Sequence, residues 1–352
     1  MKSIMTLHFS FATFLSVTLL VNIMSRVVAG WSWNPSTSST KAPRVSGQST
    51  GTIREKTNGG VLLFGGLTGA AGSPTTNDLW RFDPTHQEWT ALQSSVKDAA
   101  TPRVRMYAAS ATLGSKFYIF GGWDPMEPGS GGEFLNDVWS FDWTTETWSE
   151  ETARLPFPVS RHAAATVNDD MIIIHTYKGI LIFKDGEISE QATEGDAPDS
   201  LSMCAMTAIG HKVVIFGGSD KNQRMSSELY VLDTNNWTWS KLENQCKEDG
   251  PTAMASPCIA VLNKDKCIVF GGAGLAPSGY EGGFGLMPKD DTWLCTISEK
   301  VVEWEQIELD TKPEGRVAAS LNVLGEGKFL LQGGYDPVSK ATFEQPWILT
   351  SN

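Results

Sequence analysis

The stretch "VLLFGG" at Val61–Gly66 is an apolar run that ends on two glycines, and the same kind of segment returns four more times. The other copies are "FYIFGG" (Phe117–Gly122), "VVIFGG" (Val213–Gly218), "CIVFGG" (Cys267–Gly272) and "FLLQGG" (Phe329–Gly334). Glycine has no Cβ, so a glycine pair lets a strand end turn sharply while neighbouring backbone comes close. A local pattern that recurs along the chain in this way predicts a repeat architecture.

Each repeat continues in the same order after its glycine pair. A variable polar loop leads to the third strand of the unit, such as "DLWRFD" (Asp78–Asp83) or "DVWSFD" (Asp137–Asp142), and a short turn leads to the fourth, which opens on Trp89 or Trp148. A strand of small residues precedes each apolar run, so a unit holds four short strands over about fifty residues, as propeller blades do. The tryptophans are expected to fill the wedges between adjacent blades.

Paired glycines, a spaced aromatic residue and then tryptophan resemble the kelch repeat, and the resemblance covers the chain after residue 30. It implies an all-β fold, a six-bladed kelch-type β-propeller of the galactose oxidase/kelch type. Five units carry the glycine pair, and a degenerate unit between Arg161 and Glu190 brings the count to six. In this unit His175-Thr176 replaces the glycines and Ile188 replaces the tryptophan. Because the last repeat lacks a fourth strand, Trp31–Pro35 is predicted to close the final blade and remove an exposed edge.

Residues 1–29 are predicted to be a secretory signal peptide, and residues 30–352 the propeller. Lys2 precedes an apolar stretch, and Val27-Val28-Ala29 supplies the small residues that signal cleavage needs. The alternatives are an uncleaved anchor and a cytosolic protein. After residue 30 the chain carries 26 basic and 40 acidic side chains, so nucleic acid and anionic membrane surfaces are disfavoured as partners. We expect a secreted or lumenal protein without membrane insertion after cleavage.

Two kinds of covalent modification are open for such a protein. Cys267 and Cys295 fall on neighbouring strands, and Cys246 and Cys258 flank one loop, so disulfides are possible in an oxidising compartment. Buried free thiols are the alternative, and the odd total of five cysteines leaves at least one unpaired in a monomer. Asn236 starts the sequence Asn-Trp-Thr, an acceptor for N-linked sugar on a predicted exposed turn.

The binding site is predicted on the face where the connections are long. In a four-stranded blade the second-to-third and the blade-to-blade connections share one face, the long-loop face, and the other two turns share the turn face. Long loops on a rigid scaffold are a common place for binding. Trp123-Asp124-Pro125 and Tyr335-Asp336-Pro337 follow their glycine pairs identically, on blades two and six. Their rings are predicted to flank one ligand, with turn formation by Asp-Pro as the alternative.

Arginines near the starts of the innermost strands are predicted to complete this site. A ring of guanidinium groups at the channel mouth would hold a carboxylate or a sugar. The alternative is that each arginine pairs within its own blade. The candidate residues are Arg44, Arg105, Arg161 and Arg316.

No catalytic residue, metal site or cofactor is predicted. The histidines lack metal-ligand spacing, and His162 is the best single acid–base candidate. The iron-site pattern of kelch specifier proteins, and the residues that kelch-type copper radical oxidases need, are not found. The expected function is a secreted recognition module for an unidentified protein or glycan. The alternative is a sugar-acting enzyme resembling the sialic acid mutarotases; a ubiquitin-ligase adaptor is disfavoured by the signal peptide.

Overall fold

The computed structural model describes residues 30–37, 40–54, 59–69, 73–93, 100–126, 131–245, 250–277 and 285–351. The predicted signal peptide and Cys246 lie outside these ranges. Within them the regular structure is entirely β, and no helix is long and apolar enough to cross a membrane. The strands form six antiparallel blades, which confirms the predicted six-bladed propeller.

The strands are numbered along the chain. Before blade one lie β1 (Trp31–Pro35) and β2 (Val45–Ser46), and blade one has β3 (Ser49–Ile53), β4 (Gly60–Phe64), β5 (Leu67–Thr68), β6 (Leu79–Asp83) and β7 (Glu88–Leu92). Blade two has β8 (Ala109–Leu113), β9 (Lys116–Asp124), β10 (Glu133–Asp142) and β11 (Thr147–Arg154). Blade three has β12 (Ala163–Val167), β13 (Met171–Thr176), β14 (Gly179–Lys184) and β15 (Glu187–Gln191).

The second half of the ring follows the same plan. Blade four has β16 (Glu194–Gly195), β17 (Ala205–Ile209), β18 (Lys212–Phe216), β19 (Leu229–Asp233) and β20 (Thr238–Lys241). Blade five has β21 (Glu243–Asn244), β22 (Cys258–Val261), β23 (Lys266–Phe270), β24 (Ala273–Leu275), β25 (Leu286–Pro288), β26 (Thr292–Ile297) and β27 (Val301–Gln306). Blade six has β28 (Val317–Gly325), β29 (Lys328–Asp336), β30 (Ala341–Thr342) and β31 (Trp347–Ser351).

The N-terminal strand closes the last blade, as predicted. β1 pairs antiparallel with β31, with Trp31 opposite Ser351 and Pro35 opposite Trp347. Trp33 is 2% exposed, and its indole Nε1 donates to the Thr292 hydroxyl of blade five at 3.0 Å. The two ends of the described chain therefore share one sheet.

Tryptophans fill the wedges between blades. Trp148 of blade two lies 5.1 Å from Phe64 of blade one, and Trp304 of blade five lies 4.9 Å from Phe216 of blade four, both measured between ring centroids. In blade three Ile188 takes this place and packs against the core shared with blade two. Burial of large aromatic area between sheets holds neighbouring blades together.

The glycine pairs have the conformation and the close contacts that their sequence position predicts. Gly121 and Gly122 have φ of 53° and 108°. A Cβ on Gly121 would lie 2.7 Å from the carbonyl oxygens of Leu135 and Val159, so a side chain does not fit. Blade three needs no such bend, because only two residues join β13 to β14 after His175-Thr176.

Two short strands extend blades beyond the predicted four. β16 pairs parallel with β20, and β21 pairs parallel with β27, so each covers the outer edge of its blade. Both belong to blade-to-blade connections. Covering an open edge in this way protects it from pairing with other chains.

Candidate functional site

The large apolar side chains that the described residues expose are concentrated on the long-loop face. Their positions fall in or beside the second-to-third connections of blades two, three, five and six. They are Met126 (53% exposed), Phe134 (50%), Tyr177 (47%), Leu275 (72%) and Val338 (44%). Because these exposed apolar groups share one face, the long-loop face is the candidate interaction surface.

One residue per blade, at or just before the start of the innermost strand, has a left-handed backbone and lines the channel mouth. The six have φ between 52° and 64°, and all of them border one cavity of about 190 Å³. Backbone N–H groups donate to carbonyl oxygens of the preceding blade, for example Arg161 N to Tyr107 O at 2.9 Å. These residues are Gly47, Tyr107, Arg161, Met203, Ser256 and Ala318. Blades two to four thus contribute large side chains to the cavity, and the other three blades small ones.

This ring corrects the predicted ring of four arginines. Arg161 occupies the left-handed position, as Tyr107 and Ala318 do, and therefore lies two residues further along its repeat than Arg105 and Arg316. The position of Arg105 is taken in blade three by Val159, because the Val159 carbonyl accepts from Gly122 N as the Arg105 carbonyl does from Gly66 N. Among the four arginines, Arg161 alone lines the channel cavity.

The other three arginines make local contacts. Arg105 is 1% exposed, and its two terminal nitrogens bind the Asp137 carboxylate of its own blade at 2.6 and 2.8 Å. Although burial opposes ionisation, the Arg105 hydrogen bonds and charge hold the pKa of Asp137 below its usual value. Arg316 donates to the Gly333 carbonyl at 3.1 Å, and burial lowers the pKa of Arg316 to about 10. Arg44 lies exposed and donates to the Thr342 carbonyl at 2.9 Å.

Arg161 lies between Trp123 and a second aromatic side chain, Tyr107, which the sequence did not single out. The Arg161 guanidinium carbon lies 5.7 Å from the Trp123 ring centroid and 5.0 Å from that of Tyr107. The Tyr107 ring packs over Gly47, where a Cβ would be 2.9 Å from it. Burial raises the pKa of Tyr107, and the nearby Tyr335 hydroxyl adds to that rise. Trp123, Arg161 and Tyr107 therefore form one series across blades two and three.

The two Asp-Pro carboxylates hold their own turns. Asp124 accepts from Met126 N at 2.9 Å, and Asp336 accepts from Val338 N at 2.8 Å. Such side-chain to backbone bonds two residues on are what makes aspartate favourable in turns. Asp124 is 3% exposed and also binds Arg103, from Nε and from Nη2 at 2.8 Å each. These carboxylates therefore shape the loops that carry Trp123 and Tyr335.

A second cavity, the blade-three groove, lies beside the channel on the long-loop face. Its volume is about 570 Å³, and Phe134, Val159, Arg161, Tyr177 and Lys221 are among its lining residues. None of the residues that line it is acidic. Because Arg161 also lines the channel cavity, the two spaces meet at its side chain.

Polar atoms without partners border the channel. In the described part of the chain, Arg161 Nε, Gln48 Oε1 and both ring nitrogens of His162 are buried and lack a full hydrogen bond. Burial lowers the pKa of His162 to about 3, with a further contribution from His175, and the Phe120 carbonyl acts in the opposite direction. Buried polar groups are normally satisfied. Atoms of this kind beside a cavity indicate a place where polar groups of a ligand or water bind.

The other buried titratable groups near the channel are neutral at pH 7. Burial lowers the pKa of His175 to about 4 and raises that of the Cys204 thiol to about 12; His175 Nδ1 lies 3.8 Å from Cys204 Sγ. Within the described ranges, no group of three or more His, Cys, Asp or Glu side chains is placed to hold a metal ion.

The predicted modification sites fall away from this face. Cys267 and Cys295 are directly opposite on β23 and β26, and both are buried free thiols. Cys258 is also a buried free thiol, and its predicted alternative partner Cys246 lies outside the described residues. Asn236 is exposed in the β19–β20 turn, on the turn face.

Comparisons with known proteins agree with this fold. The chain matches the KLHDC2/KLHL20/DRC7 Kelch-repeats domain family over residues 20–185 and 179–351. It is 24% identical over 271 residues to acyl-CoA-binding domain-containing protein 4 of Arabidopsis thaliana, covering 71% of this chain and 37% of that protein. It is 31% identical over 152 residues to human Kelch domain-containing protein 10, covering 41% of this chain and 32% of that protein.

The solved structure of YjhT superimposes with a TM-score of 0.63 at 17% identity, covering 88% of this chain and 96% of that chain. At this identity the likeness concerns the fold alone. The matched region spans only about a third of the length of the two curated relatives. The family match extends over nearly the whole propeller, and the chain belongs to the Kelch-repeats domain family.

Proposed function

We propose that this propeller is a non-catalytic recognition module that binds another protein through its long-loop face. The observation that carries the proposal is the concentration of exposed large apolar side chains on that face. Aromatic and arginine side chains dominate binding hot spots because they bury large areas at modest entropic cost. Trp123, Tyr335 and Arg161 supply such groups here, beside a groove and a channel cavity.

The proposal includes secretion. The apolar N-terminal stretch and the small residues before Ala29 support it, as does the acidic mature chain, which fits a protein without nucleic-acid partners. N-terminal sequencing of protein from the culture medium tests this part. A terminus near Gly30 is expected, whereas an intact Met1 on cytosolic protein would overturn secretion and revive the adaptor hypothesis.

A variant pair tests the choice of face. We expect Phe134→Ser combined with Leu275→Ser to abolish recovery of specific proteins when purified propeller is used as bait in extracellular extract. The control replaces Asn263 and Lys264 by serine, at exposed positions of the turn face. Equal recovery by both variants and by the wild type would overturn the proposal, provided that all three melt at the same temperature.

A sugar-acting enzyme is the second candidate, and the unpartnered His162 beside the channel cavity favours it. For His162 to act as a general base at pH 7, substrate binding would have to raise its pKa from about 3 towards neutrality. The test is the rate at which sialic acid anomers interconvert, followed by NMR with wild type and His162→Gln. A rate increase by the wild type that His162→Gln removes would replace the recognition hypothesis; no increase supports it against the enzyme.

A further inference from the structure

We propose that the partner of the long-loop face is an extended peptide segment in which an acidic side chain stands next to, or two positions from, a large apolar side chain. This inference rests on the proposed function and names the chemistry of the partner. Its basis is that Arg161 lines both the channel cavity and the blade-three groove.

The cationic character of the groove stands out against the chain as a whole. The sequence has a formal net charge of −12, yet Arg161 and Lys221 line the groove and no acidic side chain does. Lys178 follows Tyr177 at its edge, with its ammonium 4.0 Å from the Phe157 ring centroid. Complementary charge steers association and sets specificity. A segment that carries negative charge therefore matches this groove better than a basic or neutral one.

The groove also has apolar walls that water contacts in the free protein. Phe134 and Tyr177 line it and are 50% and 47% exposed, and Pro158 and Val159 also belong to its lining. Covering these side chains with an aliphatic or aromatic residue of the partner would remove apolar surface from water. An extended segment places side chains i and i+2 on the same side, about 6.6 Å apart. Apolar and acidic residues at this spacing reach neighbouring parts of one groove.

The junction of the two cavities offers donors for a carboxylate. Arg161 Nε is a buried N–H donor without a partner in the described structure, and the Arg161 side chain lines both cavities at their junction. Charge-assisted bonds from guanidinium to carboxylate are shorter and stronger than neutral ones. The unpartnered Gln48 Oε1 across the cavity accepts from a backbone or side-chain N–H of the same segment.

The test starts from a random peptide library displayed on phage and selected on the whole propeller. Enriched sequences are then made as synthetic peptides with acetylated N-termini and amidated C-termini, so that side chains supply the only carboxylates. We expect enrichment of Asp or Glu within two positions of a large apolar residue. Replacing that acid by its amide should weaken binding at least tenfold to the wild type and less than twofold to Arg161→Gln. The control variant Lys264→Gln, on the turn face, should bind like the wild type.

Three results would overturn the inference. They are the absence of enrichment, enrichment of basic or uncharged sequences, and binding that Arg161→Gln and Tyr177→Ala leave unchanged. Peptides that lose binding to Leu275→Ser and Val338→Ser but not to Arg161→Gln would leave the long-loop face as the binding surface while removing the acidic partner. Peptides that lose binding only to Lys264→Gln would remove both. Unchanged melting temperatures show that each variant is folded.

Discussion

The two faces of the propeller are formed by the same strands and both have turns closed by aspartate, but they differ in the apolar side chains that they expose and in the buried polar atoms that lack partners. On the turn face, aspartates at strand ends satisfy the turn that follows: Asp83, Asp142 and Asp233 each accept from the backbone N–H two residues on, at 2.7 to 2.9 Å. On the long-loop face, apolar rings are exposed, and buried polar atoms of Arg161 and His162 lack partners. Aspartates thus close turns on both faces, as Asp124 and Asp336 do on the long-loop face, but exposed apolar rings and unpartnered buried polar atoms occur together on the long-loop face.

The largest expected effect concerns closure of the propeller by the N-terminal strand β1, on which both faces depend. Trp33→Ala removes a buried indole and its bond to Thr292, and we expect a loss of about 3–5 kcal/mol in the free energy of unfolding. Asn34→Ala, at an exposed position of the same strand, should change stability by less than about 0.5 kcal/mol. Urea unfolding measures both. Equal stability of Trp33→Ala and wild type would contradict closure by the N-terminal strand, as would an unchanged melting temperature after deletion of residues 31–35.

Two arginines provide the next comparison, between framework and site. Arg105→Ala leaves the largely buried Asp137 without its partner, and we expect a loss of about 3–5 kcal/mol in the free energy of unfolding. Arg161→Ala removes ring contacts at 5.0 and 5.7 Å, for which about 1 kcal/mol is expected. Thermal and urea unfolding of both variants measure the difference. A larger loss for Arg161 than for Arg105 would contradict the roles assigned to them.

The buried histidines under the long-loop face predict a pH dependence. The pKa values of His162 and His175 are lowered to about 3 and about 4, whereas an unfolded histidine titrates near 6.5. Below pH 6.5 the unfolded chain binds protons that the folded chain does not, so stability falls as pH falls from about 6.5 to 4. We expect a loss of a few kcal/mol by pH 5, measured by urea unfolding.

Single substitutions assign this pH dependence. His162→Gln should reduce the slope of stability against pH between 6.5 and 5. If neither His162→Gln nor His175→Gln reduced the slope, the two histidines would not be shielded from water as their burial indicates.

The smallest expected effects concern the surfaces themselves. Trp123→Ala and Tyr335→Ala should weaken binding of a selected peptide or partner while shifting stability little, because both side chains are only partly buried. Asn236→Gln should remove any N-linked sugar from secreted protein and leave binding unchanged, since Asn236 lies on the turn face. Titration calorimetry and the electrophoretic shift on removal of sugar measure these effects. Lost stability with unchanged affinity would make the two rings structural.

The sequence was sufficient to predict the blades but not the residues that line the channel. Glycine pairs and spaced tryptophans have a steric and a packing cause, so the six units and the closure by Trp31–Pro35 could be predicted. The left-handed position could not, because Gly47, Tyr107, Arg161 and Met203 share a backbone conformation and no side-chain property. An arginine near the start of each inner strand therefore suggested a false equivalence between Arg161 and Arg105. Aligning the repeats on Arg105 and Arg316 would have placed Tyr107 and Ala318 at the same channel position, two residues further on.

The parallel strands β16 and β21 were missed for a related reason. Each is two residues long and carries no alternation of apolar and polar side chains, so nothing in the local sequence distinguishes it from a loop. Their pairing depends on the outer strand of the blade that follows, which is a tertiary contact. Alternating apolar and polar residues reveal strands that bury one face of a sheet. β16 and β21 instead cover the outer edge of a blade, which requires no such alternation.

Site-specific photo-crosslinking tests the central claim, that the long-loop face is the binding surface, most directly. A photoreactive residue replaces Leu275 in one variant and Lys264 in another, and each is expressed in secreting cells and irradiated. The two positions are both exposed and lie on opposite faces of blade five. We predict discrete crosslinked partner bands from position 275 and none from position 264. Equal crosslinking from both positions, or crosslinks from position 264 alone, would contradict the account.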